Sequence, residues 1–436
     1  MATIRLDIIV VGSSLGGLVA GAYLARAGLH VAVLEEELHA SRPPLLRDPF
    51  LLSGLEIGSG VQRSLGEIGV SPSELRKLRR YPVALQVLLP GTRIDVPEGR
   101  ARLSRELQAF GLLSASETAE WLELVDSAGD ASRRQLWESK PGTRLGRLLE
   151  LWRRPPPQIA SLPPAPKTLR GFIAAQMQVL SGQAGSPSGA AAALLLRSVR
   201  DGGTLPASAG KLFSDLLRQR LHTHDAEIRP LGEFSLAAQG GEIQLELPNE
   251  RLSARSLIVA APRGLVGRAA AGSGSGPRWL RRAPQPREIP VRLFRAEREA
   301  LPGGLARRAV VAPGGPEQTY WIARHDDPDR PGIEWLAIAG PGAEKLPAND
   351  PLGALGPFSD GRVVAVDLGP SPKWDRDASD LRFPATRLPA WLKRKPPIVA
   401  VGPEVEPGTG FEGEVQRARA VALRLIDRLG VRRKLG

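Results

Sequence analysis

Cysteine is absent from the 436 residues, which excludes disulfides, thiolate metal centres and any cofactor tethered through sulfur. A reducing, cytoplasmic setting is the expectation. Histidine is scarce: His30, His39, His222, His224 and His325 are all there are, and none joins Asp or Glu at metal-ligand spacing. His222 and His224 are expected in a helix-to-strand turn, not at a metal. A P-loop is missing, which removes P-loop chemistry, and Ser-His-Asp hydrolysis is not expected.

Charge is plentiful but never gathered into a block. Lys plus Arg is 59 against 46 Asp plus Glu, a formal net charge of +13. The basic residues are mostly Arg and are scattered, as on a solvated surface. No nucleic-acid-binding motif accompanies them, so nucleic acid is not expected as a partner. The excess does favour anionic surfaces, so a peripheral, salt-sensitive contact with an anionic membrane is an expectation.

Only one stretch, residues 8–25, is apolar and uncharged over the length of a membrane span. Gly12-Ser13-Ser14 and Gly16-Gly17 interrupt it, and it lacks the basic flank and cleavage site of a signal peptide. It reads as a buried strand, a tight turn and a buried helix.

The length suggests two domains. Residues 4–11 predict a parallel strand, 17–27 a helix stopped by Gly28, and 31–34 a second strand, which together form one βαβ unit. Helical pieces are expected around Ser71-Pro72-Ser73, and strands at 86–89 and 93–96. Helices follow at 100–110 and 116–125, with Ser114 and Glu117 as a capping box. Residues 153–167 hold six prolines and read as a stiff loop. Residues 171–199 are mostly helix, broken near Ser186-Pro187-Ser188, and 211–221 form an amphipathic helix. Short strands are expected at 228–233, 235–238, 243–247 and 256–260, and a mobile surface loop at 271–288. Strands return at 291–294, 309–311, 319–323, 334–339, 362–368 and 398–401, and residues 412–429 form a closing helix.

The βαβ unit opens with Val10-Val11-Gly12-Ser13-Ser14-Leu15-Gly16-Gly17-Leu18. A dinucleotide-binding turn places G-x-G-x-x-G after a strand. Its first glycine makes the turn, the second admits the pyrophosphate, and the third lets helix and strand pack. Gly12 and Gly17 fill the first and third positions; Ser14 stands at the second, where its hydroxyl can donate to a phosphate. Glu35 ends the next strand, where a carboxylate accepts the ribose hydroxyls and repels a 2′-phosphate, so NADP is disfavoured. Glu36 is kept beside it as a candidate, although Glu36 and Glu37 also read as solvated neighbours.

The string DIIVVGSSLGGLVAGAYLARAGLHVAVLEE resembles the N-terminus of the phytoene-desaturase and amine-oxidase superfamily of FAD-dependent oxidoreductases. Weaker matches follow in order: residues 50–70 with LGEIGV, QVLLPGTRIDV at 86–96, Gly202-Gly203 with Pro206 and the helix from Lys211, and SARSLIVAAP at 253–262. Gly402 followed by Pro407-Gly408-Thr409-Gly410-Phe411-Glu412-Gly413 resembles the family's C-terminal flavin motif. The resemblance implies an α/β fold: a discontinuous Rossmann-like FAD-binding domain with an inserted α+β substrate domain. The FAD domain would take 1–75, 196–270 and 396–436, and the substrate domain 76–195 and 271–395. The cofactor-binding residues it implies are Gly12, Ser13, Ser14, Gly16, Gly17, Glu35, Glu36, Arg42, Gly402, Gly408, Gly410, Phe411 and Glu412.

The chain departs from the family at three contacts. Ser14 replaces a glycine. His39-Ala40-Ser41-Arg42-Pro43-Pro44 stands where a G-G-[RK] phosphate turn is usual, leaving Arg42 and Arg47 to meet a phosphate. Pro403 follows Gly402 where an Asp is usual. The resemblance implies an FAD-dependent, desaturase-like or dehydrogenase-like oxidoreductase acting on an apolar, isoprenoid or lipid-like small molecule. Amine oxidation is less expected, because the closing motif supplies no aromatic besides Phe411. The alternative is a cofactor-free member of the same fold, serving as a binding protein or partner subunit. No catalytic residue is legible. Tyr320 and Trp321 would line a pocket or, as aromatics on a strand usually do, pack a sheet.

Overall fold

The opening apolar run forms a strand because both of its faces are covered. In the computed structural model, β1 (Thr3–Val11) turns Ile8 and Val10 to one side and Ile9 and Val11 to the other, all fully buried. It leads into α1 (Leu15–Arg26) and β2 (Val31–Glu36). Gly28, at φ +87°, follows the last helical turn and reverses the chain, as expected. The described residues are 3–36, 50–56, 58–76, 78–138, 167–180, 189–201, 204–205, 213–272, 278–281, 287–289, 291–314, 316–327, 329–346, 366–367, 374–376, 396–402 and 410–430.

Next come α2 (Gly60–Gly66), α3 (Pro72–Leu75) and β3 (Arg79–Arg80), with Ser71 and Glu74 closing a capping box on α3. The hairpin of β4 (Val83–Leu89) and β5 (Thr92–Pro97) precedes α4 (Arg100–Ala109) and α5 (Ala115–Glu138). The expected second capping box is present: the Ser114 N–H donates to Glu117 at 2.8 Å and the Glu117 N–H to Ser114 Oγ at 3.3 Å. Then follow α6 (Lys167–Leu180), α7 (Gly189–Arg200), β6 (Thr204–Leu205) and α8 (Phe213–Thr223). His222 lies in the last turn of α8, and the His224 N–H donates to Leu221 O in the turn beyond.

Strands β7 (Glu227–Leu231), β8 (Ser235–Gln239), β9 (Glu242–Glu246) and β10 (Arg251–Val259) lead to α9 (Arg263–Gly272), α10 (Arg278–Arg281) and β11 (Arg287–Ile289). The chain continues through β12 (Val291–Glu297), β13 (Arg308–Val311), β14 (Tyr320–Asp326), β15 (Ile333–Ala339), β16 (Val366–Asp367) and β17 (Trp374–Arg376). It ends with β18 (Ile398–Ala400) and α11 (Gly410–Leu429).

Three local expectations are corrected. Helix α5 runs to Glu138, well beyond residue 125, because Trp121, Val125 and Leu136 continue its buried face. Strand β10 begins at Arg251, where its polar first half pairs with β9 and β1. The expected loop at 271–288 contains α10, whose Leu280 is fully buried. Of the expected strand at 362–368, the described part is β16, and the proline-rich stretch up to 166 lies outside the described residues.

One sheet has the order β7-β2-β1-β10, and β18 adds to β10 beyond; all these pairings are parallel. The antiparallel hairpin β8–β9 joins the first half of β10. Helices α1, α8 and α11 cover one face through Leu18, Leu24, Phe213, Leu217, Val415 and Leu425. The hairpin and α9 cover the other through Leu236, Leu245 and Val266. Removing each such side chain from water contributes about 1.5–3 kcal/mol.

A second sheet runs β16-β12-β15-β14-β13-β4-β5, antiparallel except for β13 with β4. Helices α4 to α7 pack on one face, and Leu301, Leu305 and Ala343 on the other. Tyr320 and Trp321, successive on β14, point into these two opposite cores with 1% and 2% exposure. They pack the sheet. Among the described residues, no helix is long and apolar enough to cross a membrane.

Candidate functional site

Strands β7, β2, β1, β10 and β18 end at one edge of the first sheet, the place where open α/β sheets bind ligands. Gly12 turns the chain there at φ +105°. A Cβ at Gly12 would lie 2.1 Å from the Ala261 backbone nitrogen, and one at Gly17 would lie 2.6 Å from Ala260 Cβ. Both glycines are therefore demanded by the close approach of β1, α1 and the end of β10. Ser14 takes the N-cap of α1, its hydroxyl accepting the Gly17 N–H at 3.3 Å. Gly402, at φ +109°, meets the same turn: a Cβ there would lie 3.3 Å from Ser14 Oγ.

The structure brings Gly12, Ser13, Ser14, Gly16, Gly17, Glu35, Glu36 and Gly402 together. Ser13 is buried, its N–H donating to Glu36 and its hydroxyl to Glu35, each at 3.3 Å. Glu35 is also ion-paired with Arg218 of α8, and both side chains are largely buried. Its carboxylate is thus already engaged by the chain itself. Arg42, Arg47, Pro403 and Gly408 lie outside the described residues.

Of the remaining candidates, the Phe411 and Glu412 side chains pack against other elements. Gly410 starts α11 at φ +58°. Phe411 is buried edge-on against Phe213, with ring centroids 5.5 Å apart. Glu412 turns toward α5 and α7. The Arg133 guanidinium donates to both of its oxygens, at 3.0 and 2.7 Å, and Ser198 Oγ adds a third bond at 2.9 Å. Arg133 also reaches Asp201 at 3.1 Å. Burial by itself lowers the Arg133 pKa, but its bonds to Glu412 outweigh this and shift it upward. Burial raises the nearby Glu56 carboxyl, and Arg133 partly opposes that.

Glu414 is the site residue that motif matching does not flag. From α11 it reaches across to the start of α1, where Oε1 accepts the Gly16 N–H at 2.7 Å. It is buried at 8% exposure, and burial pushes its pKa up to about 7, with the Gly16 bond pulling the other way. Helical period was the available signal, because Glu414 falls on the face of α11 that also buries Phe411, Ala418 and Val421. The side chains touching the backbone at this edge are the chain's own.

Folding takes up a proton on Glu414 between its ordinary pKa and about 7, so its contribution to stability is greatest below the ordinary value and falls as pH rises through about 7. Glu414→Gln keeps an acceptor without the titration. The variant should melt above the wild type at pH ~8 and lose that advantage toward pH ~5. Parallel melting curves across the range would refute a buried, titrating Glu414.

No protein-family model matches the chain, and no curated protein matches it. Solved structures do match. A putrescine oxidase double mutant from a redesign of cofactor binding aligns over 98% of this chain and 100% of that one, with TM-score 0.59 and 16% identity. An oxidoreductase from Methanosarcina mazei aligns over 96% and 99%, with TM-score 0.59 and 14% identity. A flavin-dependent monooxygenase in complex with FAD and substrate aligns over 98% of this chain and 58% of that one, with TM-score 0.52 and 15% identity. At these identities the likeness is one of fold, and the fold is the Rossmann-like α/β architecture that these structures share.

Proposed function

We propose that the chain is an FAD-dependent oxidoreductase acting on an apolar small molecule. The observation that carries the reading is the glycine-lined edge: Gly12 and Gly17 stand where no Cβ fits, at the start of a helix that follows a buried parallel strand. Orphan N–H groups at such a helix start attract phosphate. Gly12, Ser13, Ser14, Gly16 and Gly17 would hold the pyrophosphate, and Glu35 the ribose, exchanging its bond to Arg218 for the sugar hydroxyls. Bound flavin supplies hydride chemistry, and the protein supplies position and electrostatics. An apolar substrate is supported by the resemblance of residues 7–36 to the desaturase-like flavoproteins.

The test is extraction of the purified protein followed by mass detection of FAD, with about one flavin per chain expected from a single dinucleotide site. A second reading, a cofactor-free binding protein, is favoured by the engagement of Glu35 with Arg218 and of Gly16 with Glu414. Colourless protein that takes up no added FAD would decide for the second reading.

A further inference from the structure

Four N–H groups at a helix start lack partners within the helix. At α1 the Leu18 N–H is bonded to Ser14 O, and the Gly17 N–H to the Ser14 hydroxyl. No acidic residue lies in the first turn of α1. Yet the Gly16 N–H is bonded to a carboxylate that comes from the far end of the chain, 398 residues away. At 2.7 Å this contact is direct and leaves no space for another atom. The surroundings are equally tight: a Cβ on Gly16 would stand 3.2 Å from Glu414 Cγ and 3.0 Å from the Gly402 nitrogen. The carboxylate, the start of α1 and the turn after β18 therefore meet at one point, on the edge where a dinucleotide phosphate would sit.

We infer that Glu414 is a built-in competitor for phosphate, a carboxylate that occupies the anion position at the start of α1 and must leave before a dinucleotide can bind there. The inference rests on reading this edge as a dinucleotide site, and it names how loading of that site is restrained. Glu414 suits the role because its attachment is slight. Gly16 donates its one hydrogen bond among the described residues, whereas Glu412, two positions earlier, is held by Arg133 and Ser198. A buried carboxylate with a single neutral donor is poorly compensated. The partial positive charge of the α1 start offsets that cost in part, and it is the same charge that draws phosphate. Carboxylate and phosphate are thus rivals for one N–H group and one helix dipole.

The experiment compares wild type, Glu414→Ala and Glu414→Gln, stripped of any flavin. Two probes are used: FAD, titrated by its fluorescence, and inorganic pyrophosphate, scored by the rise in melting temperature. Glu414→Ala should bind both probes about tenfold or more tightly than wild type, the scale of losing a charged hydrogen-bond competitor. Glu414→Gln should fall between them, since its amide still accepts from Gly16 but carries no charge. Equal affinities of all three chains for both probes would overturn the inference and leave the flavin reading standing. A gain for pyrophosphate in Glu414→Ala, with no FAD binding by any chain, would support the competitor and overturn the flavin reading. A folded Glu414→Ala that binds neither probe would overturn both. Should Glu414→Ala fail to fold, Glu414→Gln against wild type decides on the same criteria.

Discussion

Gly12→Ala should cost more than about 4 kcal/mol, enough to remove most of the stability of an ordinary domain. Two penalties combine. A side-chain-bearing residue at φ +105° is strained by about 1–3 kcal/mol. The new methyl would also lie 2.1 Å from the Ala261 nitrogen and 2.5 Å from the Ala260 carbonyl carbon, and backbone atoms cannot swing aside as a flexible side chain can. Relief requires β1 and the end of β10 to part, yet these strands pair from Thr3 with Arg251 to Val11 with Val259 at the centre of the sheet. Gly58 is the control. It also has positive φ, at +80°, but open space where its Cβ would be, so Gly58→Ala should cost only about 1 kcal/mol or a little more, from strain alone. Melting followed by circular dichroism separates the two, and similar midpoints would refute the close approach at Gly12.

Arg133→Met should destabilise the fold by about 3–5 kcal/mol, the range for breaking a buried ion pair by removing one partner. The Glu412 side chain is 2% exposed and, among the described residues, would keep only the Ser198 hydroxyl. Glu56 and Asp201 lie near enough to act on Arg133 and would add repulsion once the guanidinium is gone. Pairing Arg133→Met with Glu412→Gln removes the stranded charge, so the double variant should recover much of the loss. Melting curves of both single variants and the double variant give the coupling. An additive double variant would show that the pair does not hold α5 to α11.

Much of the first βαβ unit is legible locally. A strand buried on both faces must be apolar throughout, a helix packed on it needs small residues at Gly17, Gly21 and Ala25, and a tight turn between them needs Gly12. The capping boxes at Ser71 and Ser114 are legible for the same reason, because donor and acceptor lie three residues apart. Sequence reading falls short where an element's stabilising partners are remote. The polar first half of β10 looks unlike a buried strand until β1 and β9 flank it, and the second half of α5, rich in charge, is held by the pairing of Arg133 with Glu412.

By itself, the sequence determined the architecture: the glycine turn, the buried parallel strands and the closing helix follow from short-range sterics and from which residues must avoid water. The tertiary structure decided what those elements present to a ligand. Glu35 reads in sequence as a free ribose acceptor, but the fold pairs it with Arg218, 183 positions away. Glu412 falls in the closing flavin-like motif, and the fold joins its side chain to Arg133, 279 positions away. Glu414 carries no motif at all, yet it caps α1 from 398 positions away. Local pattern constrains φ, ψ and burial within a few residues, whereas the partner of a buried charge depends on which distant elements the topology brings within hydrogen-bonding distance.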